Sequence, residues 1–263
     1  MADQQVTTEN QTPGIKRTIP SLIFLRPSMI ILLVFLPYSI AFLIGWKYLL
    51  PIATTLPAAF VLYGHMKKGR PLEAVVDMLL YVFWLTVTGM IWMYFMYGRA
   101  GDVVIHGRDY MAEMKPWLSG EASKEGTPSL FIREHLLHMV VVAVASLISV
   151  GFLALLFGTI LVNYMNYYVV SLMRMSSRPL LLAVIGWHPW SVLRVIAFII
   201  LGCAFAWPLA ARIGKGGKFD RRRFITMVII AILLEIADIM IKTFIGSSWR
   251  DLIVANIRLE TIQ

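Results

Sequence analysis

Glu235, Asp238 and Lys242 stand in the run ITMVIIAILLEIADIMIKTF, where nearly every other side chain is apolar. Their spacing of i, i+3 and i+7 puts all three on one face of a helix. An ionised carboxylate near the middle of a bilayer costs several kcal/mol unless it is paired, protonated or wetted. That chemistry is an intramembrane proton or cation site. The plain alternative pairs Asp238 with Lys242 on its own helix and leaves Glu235 to hydrogen-bond a neighbouring span. Arg194 lies one turn inside another apolar run, so it is expected to snorkel to the outer interface. Otherwise it reaches an acid such as Glu235 or Asp77 across the bundle. Glu73 and Asp77 open their own run, where acids suit a helix N-terminus and need no further role.

A second constellation is EHLLH, with His135 and His138 three residues apart and Glu134 beside them. Two imidazoles at that spacing could share a metal ion, with His106 as a third ligand. The spacing is not the H-E-x-x-H of zinc proteases, and the plain reading is an interfacial histidine pair. Met90, Met93 and Met96 could offer thioethers to Cu(I), although apolar helices also use Met as filler. In Gly186-Trp187-His188-Pro189-Trp190 the proline predicts a helix break, and the tryptophans suit the headgroup zone. No nucleophile elbow, phosphate loop or dinucleotide fingerprint occurs, and no motif names a cofactor.

The elements that must position these residues follow from composition. Of 263 residues, 59% are hydrophobic and only 15% charged. A soluble chain averages about 45–50% and about 25%. Too few groups remain to solvate a globular surface, so the fold class expected is an all-α polytopic transmembrane bundle. The net charge of +9 sits beside apolar runs, where it marks topology and contact with anionic lipid, not nucleic acid. The single Cys203 excludes an intrachain disulfide and any Cys-rich metal site.

With about 20 residues needed per crossing, five spans stand out: 28–50, 73–97, 137–158, 190–211 and 224–245. Two shorter pieces, 51–65 and 159–173, give seven spans if both cross, and six is the alternative. Organised by these runs, the chain divides into a polar tail (1–20), a first membrane part of three spans (21–97) and an interfacial loop (98–136). A second membrane part of about four spans (137–245) and an amphipathic tail (246–263) complete it. The loop carries five basic against six acidic side chains, a balance compatible with translocation. Within it an amphipathic helix over 108–118 is expected on the membrane surface, followed by a mobile stretch. Arg212, Lys215, Lys218, Arg221, Arg222 and Arg223 form the strongest basic cluster and place that connection in the cytoplasm. Lys67, Lys68 and Arg70, and the tail pair Lys16 and Arg17, agree with it in the seven-span arrangement. The N-terminus is then inside and the C-terminus outside, and the expected location is the cytoplasmic (inner) membrane.

From Phe131 to Ile213 the order FIREHLLHMVV, SVGFLALLFG, LVNYMNYY and GWHPWSVLRVIAFIILG resembles the stage II sporulation protein M-type membrane family. Asn163 and Asn166 lack the following Gly of that family, His188 is followed by Pro189, and Val192 replaces a Glu. The resemblance implies a non-enzymatic membrane protein acting with partners. The function expected is accordingly a non-enzymatic scaffold or accessory subunit of a larger membrane complex, with other membrane subunits and lipid as partners. The alternative is a small proton- or cation-coupled permease using Glu235 and Asp238.

Overall fold

The computed structural model describes residues 27–214 and 218–257. The polar tail with Lys16 and Arg17, Lys215, and the last six residues lie outside the described residues. Ten helices and no strand occur among the described residues: α1 (Pro27–Ile44), α2 (Leu49–Lys67), α3 (Pro71–Phe95), α4 (Tyr97–Val103), α5 (Gly107–Leu118), α6 (Pro128–Ser149), α7 (Phe152–Arg174), α8 (Pro179–Ile185), α9 (Pro189–Ile213) and α10 (Arg221–Val254). Six of them, α2, α3, α6, α7, α9 and α10, are long and apolar enough to cross a membrane. The chain is a multi-pass, all-α membrane bundle. Helix α1 packs on α2 and α3, and Arg99 at α4 donates 3.0 Å to the Phe42 carbonyl at the C-terminal end of α1. Long helices therefore alternate in direction along the chain.

Both short pieces belong to full-length helices, and the breaks fall earlier than composition suggests. Pro51 sits in the first turn of α2, where its missing N–H costs nothing, so the chain turns at Gly45 instead (φ 77°). Likewise Gly158 lies inside α7, and the reversal comes at Val150 (φ 53°) and Gly151 (φ 88°). A Cβ on Gly151 would lie 2.4 Å from Leu62 Cδ2, so only glycine lets α6 and α7 turn this close to α2. Helix α7 is the central rod, buried almost continuously from Val162 to Met173, and its Asn163 and Asn166 face protein, not lipid.

The break at Pro189 forms as expected, with His188 extended and the proline opening α9. Helix α5 forms where the amphipathic helix is expected and turns its apolar face to the bundle: Met111, Met114 and Trp117 are buried, the helix packs on α7, and Trp117 meets His188 and Trp190. Two other expectations are corrected. The following stretch is tied down: Lys124 pairs with Glu113 at 3.1 Å and Glu125 pairs with Lys242. Residues 246–254 are not a separate interfacial helix but the end of α10, because Gly246 keeps helical geometry and no residue there breaks the ladder. At 34 residues, α10 is about 51 Å long and overshoots the bilayer.

The basic clusters meet at one end. Gly214 after α9 approaches so near α2 that a Cβ would stand 3.0 Å from Lys67 Cγ. Lys67, Lys68, Arg70, Arg212, Lys218 and Arg221 to Arg223 therefore share a face, which the positive-inside rule would put inside, and the two ends are called inner and outer on that expectation. There His65 Nε2 bonds Asp77 at 2.7 Å, which gives that acid a local partner. Helices α4, α5 and α8 and the end of α10 gather at the opposite, outer end. In a Cys203→Ala background, Cys at position 218 is expected to react with a membrane-impermeant thiol reagent only in opened cells, and Cys at 121 in intact ones. The reverse pattern would invert the orientation.

Candidate intramembrane cation site

Helices α6, α9 and α10 bring four ionisable side chains to one point in the outer half of the bundle. Asp238 is wholly buried, Glu235 is 2% exposed and His135 3% exposed, so bulk water does not solvate their charges. Arg194 crosses from α9 and donates to both Asp238 oxygens, Nε to Oδ2 at 3.1 Å and Nη2 to Oδ1 at 3.2 Å. It does not snorkel, because a buried carboxylate on the neighbouring helix lies within reach of its fork. His135 Nδ1 stands 3.0 Å from Asp238 Oδ2 and 3.7 Å from Glu235 Oε1. Neither that nitrogen nor either Glu235 oxygen has an aligned hydrogen-bond partner among the described residues.

Lys242, one turn beyond Asp238, pairs not with that acid but with Glu125 in the loop before α6, its ammonium 4.1 Å from the centre of the Phe131 ring. Tyr110 from α5 adds a hydrogen bond to Glu125 at 3.4 Å. Glu125 carried no signal in the sequence, since its partner lies 117 positions away.

Above the cluster opens a cavity of about 430 Å³. His106, Asp109, Glu113 and Lys124 line its mouth, and His135 and Arg194 its floor. Four carboxylates (Asp109, Glu113, Glu125, Glu134) and two cations (Lys124, Arg194) line it, and Glu235 and Asp238 lie behind the His135 and Arg194 of its floor. On a chain of net +9, this is a local basin of negative potential at the outer end. The Glu113 hydrogen bond raises the Lys124 pKa, so that cation keeps its charge. Burial, with Tyr164 and Tyr168 alongside, raises the Tyr110 pKa well above its ordinary value and keeps the phenol neutral.

The proposed histidine trio does not assemble. Three helical residues turn about 300°, so His135 faces α10 while His138 turns its ring onto Phe157 of α7, 5.3 Å between centres. His106 pairs with Asp109 at the mouth, 3.2 Å apart and largely exposed. His188 stacks on Trp190 at 4.6 Å, and burial lowers its pKa to about 3, which makes it a neutral packing group. Met90, Met93 and Met96 join the apolar core. A second, apolar cavity of about 90 Å³ lies toward the inner end, and Leu161, Val162, Val195 and Phe198 line both cavities as a shared wall.

Compared with protein-family models, with curated proteins and with solved structures, the chain matches none.

Proposed function

We propose that this multi-pass protein is a small proton- or cation-coupled permease of the cytoplasmic membrane, with Glu235 as the group that takes up the ion. The observation that carries the reading is Glu235 itself: a carboxylate 2% exposed, with neither oxygen hydrogen-bonded among the described residues, beside the His135 that lines an acidic cavity. A side chain kept only for packing would be expected to spend its oxygens on a neighbour, because a buried acceptor without a partner costs about 1–3 kcal/mol, more when charged. Asp238 spends both of its oxygens on Arg194, which leaves Glu235 as the group free to exchange an ion.

The test is flux in proteoliposomes loaded with a pH- or potential-sensitive dye. Wild-type protein is expected to dissipate an imposed gradient, and Glu235→Gln to abolish that while eluting as the same monodisperse species. Asp238 stays in place because Arg194 depends on it. A Gln variant with undiminished flux would remove Glu235 from the mechanism. The scaffold or accessory-subunit role expected from the sequence is the competing proposal. It would be supported if Glu235→Gln keeps full function in cells and a stoichiometric membrane partner co-purifies.

A further inference from the structure

The geometry around Glu235 points to a particular ion: we propose that His135 Nδ1, a Glu235 oxygen and Asp238 Oδ2 form a three-ligand site for a divalent first-row transition-metal ion of the Zn²⁺ or Mn²⁺ type, carried as cargo. This deepens the permease reading and rests on it for transport, though not for binding. Ligand atoms about 2.1 Å from a common tetrahedral centre stand about 3.4 Å apart. His135 Nδ1 lies 3.0 Å from Asp238 Oδ2 and 3.7 Å from Glu235 Oε1, which brackets that spacing, and all three donor atoms fall within 4.8 Å of one another. Two of the three residues present donors with no aligned hydrogen bond among the described residues, although both are almost wholly buried. A proton alone would not call for three convergent lone pairs.

Ligand type sets the ion class. One imidazole with two carboxylates suits Zn²⁺, Mn²⁺ or Fe²⁺, whereas Mg²⁺ and Ca²⁺ prefer oxygen alone and Cu(I) prefers sulfur. The only thiol, Cys203, lines the other cavity. Three protein ligands leave a fourth position open, and His135, one of the three, also lines the cavity; an open position marks a site that exchanges its ion or ligand instead of a closed structural one. Electrostatics agree: four carboxylates against Lys124 and Arg194 line the cavity, and Glu235 and Asp238 behind its floor add two more acids on the Arg194 side, which favours a doubly positive ion. Asp238 Oδ2 accepts from Arg194 Nε with one lone pair and can give the other to the ion, while Oδ1 stays on Nη2, so the guanidinium orients this ligand.

The experiment uses the purified full-length chain in detergent, stripped with a chelator, dialysed against Zn²⁺, Mn²⁺ or Mg²⁺ and assayed for bound metal by mass spectrometry. About one Zn²⁺ per chain is expected, with Mn²⁺ also retained and Mg²⁺ not. Glu235→Gln and His135→Gln should each weaken binding by more than the roughly 10–100-fold lost with a mere orienting partner. His138→Gln, in the same cavity, should leave binding unchanged. X-ray absorption at the zinc edge of wild-type protein gives a reading that no variant's folding can confuse, and a mixed nitrogen and oxygen shell without sulfur is expected. Failure to retain Zn²⁺, equal retention of Mg²⁺, or a sulfur ligand would overturn the site. Flux that depends on Glu235 with no metal bound would overturn it too, while leaving the permease reading with a proton as the ion. Stoichiometric Zn²⁺ without flux would uphold the site and overturn the permease.

Discussion

Arg194→Met is expected to destabilise the protein by about 3–5 kcal/mol, the cost of leaving one half of a buried ion pair without the other. Asp238 is fully buried and has its two Arg194 contacts as its hydrogen bonds, and Glu235 lies one turn before it. Lys242 cannot substitute, because Glu125 holds it. Removing the guanidinium therefore leaves two carboxylates in a low-dielectric interior with no cation to share. The double variant Arg194→Met with Asp238→Leu should recover most of the loss, since an apolar pair of similar volume often matches a buried ion pair. Arg194→Lys should fall between, because one ammonium cannot donate to two oxygens in the fork geometry. Thermal unfolding in mild detergent reads all three. A single variant no less stable than the double would show that the pair is not coupled.

Gly89 on α3 should tolerate no side chain. A Cβ there would meet Tyr38 Oη at 2.4 Å and Asn166 Nδ2 at 2.6 Å. Neither can simply swing aside. Tyr38 is fully buried and its hydroxyl donates to Asn163 Oδ1 at 2.5 Å, which knits α1 to α7. Asn166 is fully buried on the central helix. Gly89→Ala is expected to cost about 1–3 kcal/mol by overpacking, and Gly89→Val more. Adding Tyr38→Phe removes the closer clash, so the combination should lose less than the sum of the single changes. Strict additivity in the unfolding midpoints would refute the close approach of α1, α3 and α7.

The residues of the site were more legible than their partnerships. Glu235, Asp238, Lys242 and Arg194 stood out because charge inside an apolar run is costly wherever it occurs, and that cost is visible in one dimension. Helical spacing also put three of them on one face correctly. Spacing says nothing of what packs against that face, and here the answers come from 44 positions away for Arg194 and 117 for Glu125. His135 was singled out with His138 and His106 as companions, whereas the structure sets it beside Glu235 and Asp238, since its neighbour in sequence points to another helix. The turns misled for a related reason. Proline and glycine mark breaks only in some contexts, and Pro51 in a first turn and Gly158 in mid-helix break nothing, whereas Val150 with Gly151 reverses the chain.

The wall of Leu161, Val162, Val195 and Phe198 between the two cavities has a kinetic consequence. These side chains come from α7 and α9 and offer no oxygen or nitrogen to replace the water that an ion carries with it. An apolar constriction of this kind sheds its own water and so blocks a hydrated charge. If the protein is the permease proposed above, an ion arriving from the polar cavity would halt at the cluster until α7 and α9 moved apart, and each passage would cost one cycle of that movement. Throughput would then saturate with ion concentration at the pace of a conformational clock, on the microsecond-to-second scale of collective helix motions. It would follow an enzyme-like hyperbola instead of the ohmic rise of an open pore.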